Sequence, residues 1–290
     1  MSIIPPEIPF LASAREPKPG CPLLLGVPYD KTASFRKGTR EGPDGIRTIS
    51  EDGIETYSPI QDRDLEEIHF HDLGNLEVDP SQPPEEVVAA LNGVVAAMYR
   101  NGGIPIVLGG EHSISPGAVR AAFDAHPDLV VIQIDAHADL REEYEGSRHS
   151  HACAMRRILD FLPSDRLLQV GIRSGTREEY REMHAEERYV APNAAALTKA
   201  LEGRRFQDSP IYVTFDIDAF DPAEVPGTGT PEAGGISWET ADSMRAVLEG
   251  KNIVGFDLVE LAPGLDPSGI SSVLAAKLLR EWLLTMATSS

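Results

Sequence analysis

Apolar runs of strand length, closed by glycines or polar residues, recur along this chain of 290 residues and alternate with stretches of helical period. Residues 23–27, 104–108, 130–134, 167–172, 210–215 and 253–259 are almost continuously apolar. They read as strands buried on both faces. Residues 68–73 alternate instead, which sets His69 and His71 on one side and Ile68, Phe70 and Asp72 on the other. Pro84–Arg100 places Val87, Val88, Leu91, Val94, Val95 and Met98 on one helical face and stops at Asn101-Gly102-Gly103. Pro43 after Gly42 marks another helix start, and Ser115 before Pro116 offers an N-cap. Residues 177–187, 240–249 and 271–284 are further helices.

Strand and helix patterns thus alternate from end to end, the signature of an α/β fold with a parallel sheet covered on both faces. No linker, repeat or change of composition divides residues 1–290, so a single domain is expected. Residues 1–20, with Pro5, Pro6, Pro9, Pro17 and Pro19, have no periodicity and read as an extended arm on the domain or on a neighbouring subunit.

Composition narrows the function. The formal charge of −20, with no basic run, argues against nucleic acid and suits a cationic substrate or metal ions. Cys21 and Cys153 are too few for a disulfide framework. No run approaches the about 18 apolar residues that span a bilayer, and no charged-then-apolar leader opens the chain. A cytoplasmic protein without membrane contact is the expectation.

The chemistry sits at strand ends. Residues 130–134 run into Asp135-Ala136-His137-Ala138-Asp139, residues 210–215 into Asp216-Ile217-Asp218, residues 104–108 into Gly109-Gly110-Glu111-His112-Ser113, and residues 253–259 into Glu260. Alone, the Asp-x-His-x-Asp stretch could be a solvated turn. Four apolar runs delivering acid or imidazole at the same end are harder to ascribe to chance, since ligands bind at that edge of parallel α/β sheets. His112, Asp135, His137, Asp139, Asp216 and Asp218 make a ligand set of imidazole and carboxylate without thiolate. Such a set suits manganese better than calcium or structural zinc. Six ligands are too many for one open catalytic ion and fit two, a pair that activates water. His69, His71, His126 and His184 have no such company and read as structural or surface residues. Cys153 has no evident base and reads as packing.

These three motifs resemble the metal-ligand motifs of the ureohydrolases, the family of arginase, agmatinase and formimidoylglutamase. The resemblance extends through Pro226-Gly227-Thr228-Gly229-Thr230-Pro231-Glu232 to Gly234-Gly235 and covers nearly the whole chain. It implies a three-layer α/β/α sandwich around an eight-stranded parallel sheet, two Mn²⁺ ions, and hydrolysis of a guanidinium group with release of urea. By motif, Asp135 and Asp216 would bridge the ions, His112 and Asp139 completing one and His137 and Asp218 the other. Asp139 would also hold the attacking hydroxide. Glu260 resembles the glutamate that pairs with the guanidinium. His151, preferred over His149, resembles the histidine that returns a proton to the leaving amine.

Where arginases carry an Asn- and Ser-rich stretch, this chain has Arg141-Glu142-Glu143-Tyr144-Glu145-Gly146-Ser147-Arg148-His149-Ser150, which is similar to the agmatinase branch. Arg141, Glu142 and Thr230 are the remaining substrate-side candidates. The acidic rim favours an amine tail. Agmatine is therefore the expected substrate, ahead of N1-aminopropylagmatine, guanidinobutyrate or arginine and of a non-catalytic metal-binding scaffold. The resemblance also implies a homotrimer or homohexamer, with the arm and the last helix as contact candidates.

Overall fold

The computed structural model describes residues 2–204 and 206–287. In chain order the strands are β1 (Ile3–Ile4), β2 (Pro22–Val27), β3 (Tyr57–Ser58), β4 (Arg63–Asp64), β5 (His71–Leu76), β6 (Ile104–Gly109), β7 (Val130–Ile134), β8 (Leu167–Val170), β9 (Tyr189–Val190), β10 (Ile211–Asp216) and β11 (Ile253–Val259). The helices are α1 (Gly42–Gly53), α2 (Pro84–Arg100), α3 (Ser115–Ala125), α4 (Ala154–Leu159), α5 (Arg177–Ala185), α6 (Ala194–Gly203), α7 (Trp238–Val247) and α8 (Ile270–Met286). None of them is long and apolar enough to cross a membrane.

The main sheet runs β1-β5-β2-β6-β11-β10-β7-β8-β9, and β3 pairs with β4 apart from it. It has nine strands, not the expected eight. The eight from β5 to β9 in that order are all parallel. The ninth, β1, comes from the proline-rich arm and runs antiparallel to β5, Ile3 beside Leu76 and Ile4 beside Asn75. Two residues are too few to show a period, so this strand is silent in the sequence.

Two apolar cores sandwich the sheet. Val130, Ile132, Val213 and Phe215 pack with Ile46 of α1, Leu197 of α6, Met244 of α7 and Leu279 of α8. On the other face Val131 and Tyr212 pack with Val87 and Leu91 of α2, Ala118 of α3, Met155 of α4 and Met183 of α5. This double covering explains why β2, β7, β8, β10 and β11 are buried at every position and read as unbroken apolar runs. Helix α8 is itself a core element, with Leu278, Leu279, Trp282, Leu283 and Leu284 buried.

The strand order decides where the site forms. The chain winds outward to β8 and β9, then returns with β10 and β11 to fill the gap between β7 and β6. The four strands that carry acid or imidazole at their carboxyl ends are therefore immediate neighbours, about 4.8 Å apart.

Some local readings shift. The strand expected at residues 68–73 lies at His71–Leu76, with Phe70, Asp72, Gly74 and Leu76 inward. Its two histidines hold the arm, His69 Nε2 meeting Glu16 O at 2.9 Å and His71 Nδ1 meeting Ala14 O at 2.7 Å. The arm thus lies on its own chain. Ser115 does not cap α3: a 3₁₀ turn at His112–Ile114 feeds straight into the helix, which has no side-chain cap. Helix α4 and strand β9 are too short to show a period, and α6 is an unexpected helix although Leu197 and Leu201 stand one turn apart and Asn193 caps it.

A buried ion pair fastens the arm, α1 and β5 together. Arg47 grips Asp72 through Nε–Oδ2 at 2.8 Å and Nη2–Oδ1 at 2.9 Å, and Asp72 Oδ2 also accepts the amide of Phe10 at 2.9 Å. Both side chains are buried. Removing one partner leaves the other charge uncompensated, at a typical cost of about 3–5 kcal/mol. Arg47→Met should lower the urea-unfolding free energy by about that amount, and adding Asp72→Leu should restore part of it. Equal losses in the single and double variants would show that the pair is not the fastening.

A candidate metal centre at four strand ends

The turn after β7 holds Asp135, His137 and Asp139 in a hydrogen-bonded loop in which the His137 amide donates to Asp135 Oδ1 at 2.6 Å. The turn after β10 repeats this, the Asp218 amide donating to Asp216 Oδ1 at 2.8 Å. The Ala136 amide then ties the two turns by donating to Asp218 Oδ1 at 3.2 Å. From β6, Gly110 lets the chain pass against Tyr29, where any Cβ would lie 1.8 Å from a carbonyl oxygen. The 3₁₀ turn beyond it aims His112 inward.

All six expected ligands meet. His112 Nδ1 lies 3.1 Å from Asp135 Oδ2, 3.1 Å from Asp139 Oδ2 and 3.3 Å from Asp216 Oδ2. His137 Nδ1 lies 2.9 Å from Asp218 Oδ2 and 3.7 Å from Asp135 Oδ1. Two groups with metal-holding geometry result, His112–Asp135–Asp139 and Asp135–His137–Asp218, and they share Asp135. Asp216 joins the first through His112.

The donor chemistry fits cations better than hydrogen bonds. Although three carboxylate oxygens surround it, His112 Nδ1 is buried without a hydrogen-bond partner. Its other nitrogen is engaged. Nε2 lies 2.9 Å from Thr214 Oγ1, whose own proton goes to Asp257 Oδ1 at 2.6 Å, with Tyr212 donating to the same carboxylate at 2.9 Å. Thr214 can then accept from His112, so Nε2 carries a hydrogen and Nδ1 is the nitrogen left facing the carboxylates, where a cation would bind it.

The electrostatics agree. Burial, with the charges of Asp218 and Asp139 added, pushes the Asp135 carboxyl up to about 7. Burial and then Asp218 raise Asp216 well above the carboxylate range. Asp218 goes the other way: burial opposes its ionisation, but the His137 imidazole outweighs it and holds the carboxyl at about 2. Asp139 and Glu260 both adopt left-handed backbone, φ 54° and 67°, strained for residues with a side chain.

A cavity of about 270 Å³ opens above the cluster, lined by His112, His137, Asp139, Asp216, His151 and Thr230 among others. His151 Nδ1 lies 3.6 Å from Glu260 Oε1, and its Nε2 is 3.1 Å from Ser34 Oγ. Glu260 Oε1 also accepts the His112 amide at 2.7 Å. Thr230 Oγ1 is 3.3 Å from Asp218 Oδ2. Arg141 is on the rim, its guanidinium 4.7 Å from the centre of the Tyr144 ring.

Glu142 is not brought to the cavity, contrary to its place among the substrate-side candidates. Arg148 and Arg157 bind its Oε1 at 2.7 and 2.9 Å and draw it onto the outer surface. His149 does not line the cavity either. Burial, then the charge of Asp139, pushes the Cys153 thiol up to about 11, which leaves it inert.

Beneath the ligands lies a row of polar residues that the motifs alone do not single out. Gln169, Gln133, Thr214 and Asp257 are fully buried, and strand register pairs Gln169 with Gln133, Gln133 with Thr214, and Thr214 with Asp257. A usable signal was present. Gln133 and Thr214 each stand two places before a ligand on a buried strand, hence on the ligand's face.

Comparisons with known proteins agree with this geometry. Residues 22–285 match the family model described as Arginase family. The chain is 40% identical over 283 residues to the agmatinase of Halalkalibacterium halodurans, covering 95% of each. It is 38% identical over 276 residues to the N(1)-aminopropylagmatine ureohydrolase of Thermococcus kodakarensis, covering 91% of this chain and 90% of the relative. Its fold superposes on the crystal structure of agmatine ureohydrolase of Thermoplasma volcanium with a TM-score of 0.84 at 34% identity, covering 96% of this chain and 94% of that one.

The His151–Glu260 contact gives a titration to measure. Burial opposes a charged His151, but Glu260 outweighs it and lifts the imidazole to about 9 in the cation-free protein. A raised value means that the stability from this contact is complete below about pH 6.5 and fades as pH rises through about 9. Imidazole NMR of the chelator-treated protein should place His151 near 9, falling towards or below 6.5 in Glu260→Gln. An unchanged titration in Glu260→Gln would exclude the contact.

Proposed function

The chain belongs to the arginase family, and we propose that it hydrolyses agmatine to putrescine and urea with two Mn²⁺ ions held by its Asp and His cluster. It is a ureohydrolase of the agmatinase type, supported by curated agmatinase relatives across nearly the whole chain. The observation that carries the reading is the double ligand group sharing Asp135 at the floor of a cavity.

In this reading the residues that would hold the two ions are His112 and Asp139 on one side and His137 and Asp218 on the other, together with Asp135 and Asp216. The ions supply a water-derived nucleophile at neutral pH. The chain's own groups do the rest. Asp139, on the cavity wall, orients the attacking water. Glu260, anchored by the His112 amide, presents its remaining lone pairs to the planar guanidinium, which prefers paired hydrogen bonds to a carboxylate. As the C–N bond breaks, His151 gives a proton to the departing amine, and Ser34 links its Nε2 to the cavity. Thr230 supports Asp218 and faces the bound guanidinium.

A further residue of the cavity wall supports the amine tail. Glu179 lines the cavity with its carboxylate anchored by the amides of Leu140 and Thr176, at 3.0 and 2.6 Å. Its charge attracts a terminal ammonium, whereas Arg141 is turned onto Tyr144 at the rim. N1-aminopropylagmatine shares the tail chemistry and is the second reading, favoured by the Thermococcus kodakarensis relative. We read residues 1–290 as one catalytic domain of a cytoplasmic homotrimer or homohexamer. Two buried free thiols suit a reducing compartment, and exposed Ile4 on the arm and Ile270 on α8 offer apolar contacts.

Urea release measured side by side should give the largest kcat/KM on agmatine and require added manganese after chelation. Arginine as the best substrate would overturn the amine-tail assignment. His151→Asn should lower kcat by about 10²-fold or more with little change in bound metal, the usual range for a lost general acid.

A further inference from the structure

Directly beneath Asp135 lie two glutamines that the hydrolytic reading leaves without a task. Gln133 precedes Asp135 by two residues on β7, and Gln169 is its register partner on β8. Both are fully buried, where an unsatisfied amide is costly. Their donors are all used. Gln133 Nε2 donates to Asp135 Oδ2 at 2.7 Å and to His137 O at 3.0 Å. Gln169 Nε2 donates to Gln133 Oε1 at 2.7 Å and to Ala138 O at 2.9 Å.

The direction of this chain is forced. Backbone carbonyls can only accept, and each amide has one within reach, His137 O for Gln133 and Ala138 O for Gln169, so each must turn its NH₂ group towards the ligand turn. The orphan falls at the far end, where Gln169 Oε1 is buried with no partner. Turning Gln169 over would aim that oxygen at two other acceptors. The unsatisfied atom is thus a consequence of the dipole direction required at Asp135.

We propose that Gln133 and Gln169 form a positioning relay for the cation pair. Gln133 fixes the plane of the Asp135 carboxylate, so that Oδ2 faces His112 at 3.1 Å while Oδ1 faces His137 at 3.7 Å. The same amides hold the carbonyls of His137 and Ala138, which sets the turn carrying the other two ligands of this motif. A lysine or arginine could donate as well but would compete with the cations for the same oxygens. The amide orients the ligand and adds no charge. Gln169 reaches Asp135 through Gln133 and holds the ligand turn directly through Ala138 O.

The inference rests on the two-cation reading, so its test reads metal binding directly. Manganese is titrated calorimetrically into the chelator-stripped full chain, alongside thermal unfolding with and without the ion. The unaltered chain should take two ions. Gln133→Met should bind at least one of them about 10- to 100-fold more weakly, the usual effect of losing a partner that orients a ligand. Gln169→Met should lose less, in the same direction. The double variant should lose less than the sum of the two single losses, because Gln169 reaches Asp135 only through Gln133. Unchanged affinity in the single variants, or a lower melting temperature with the manganese-induced rise intact, would make the glutamines ordinary packing and overturn the relay. Should Gln133→Met fail to fold, the affinity of Gln169→Met decides by itself. A wild-type chain that takes up no manganese would remove the cation reading, and the relay with it.

Discussion

Four carboxylates and two imidazoles occupy a region from which water is largely excluded, and their mutual repulsion is the constraint around which the molecule is built. Asp135, Asp216 and Asp218 are almost fully buried, and in the absence of a cation two of the three are pushed away from ionisation. Burial of like charges is costly unless something positive joins them. Protons on His112 and His137 can serve in part, but they leave Nδ1 of His112 amid three oxygens with no hydrogen-bonding direction satisfied. Divalent cations would satisfy the oxygens and that nitrogen at once. The strained backbone at Asp139 and Glu260 belongs to the same arrangement, because both side chains are pulled out of the ordinary strand path to reach it.

Strand order turns this local demand into a site. Motifs more than a hundred residues apart become neighbours because β10 and β11 return between β7 and β6. Beneath the ligand row lies a second, polar row from Gln169 to Asp257, and beneath that, on the same face of the sheet, the apolar core that contains Val131 and Tyr212. Rigid strands thus support a first row that meets the substrate and a second row that orients the first. The loops that carry Ser34 and Tyr144, with Glu179 on the first turn of α5, shape the cavity and are where relatives with different substrate tails can differ.

Much of this is legible in the sequence, for physical reasons. A strand covered on both faces must be apolar throughout, so a charged residue at its end is conspicuous, and all six expected ligands come together. Helix α2 is legible to its last residue because its apolar stripe and its Asn-Gly-Gly stop coincide. What stays hidden depends on partners remote in sequence. Strand β1 is too short to have a period, and His69 and His71 gain their role from carbonyls of the arm. The Arg47–Asp72 pair joins elements whose proximity only the fold creates. Glu142 is misplaced because its acidity is visible in the sequence while the two arginines that claim it are not visible as its neighbours.

The most direct test is anomalous scattering from manganese-soaked crystals of the intact chain. The account predicts two peaks about 3.5–4 Å apart, the spacing of paired-metal hydrolase centres, one beside His112 and Asp139 and the other beside His137 and Asp218, with Asp135 between them. A single peak with its coordination shell complete, or ions bound away from the four strand ends, would contradict it.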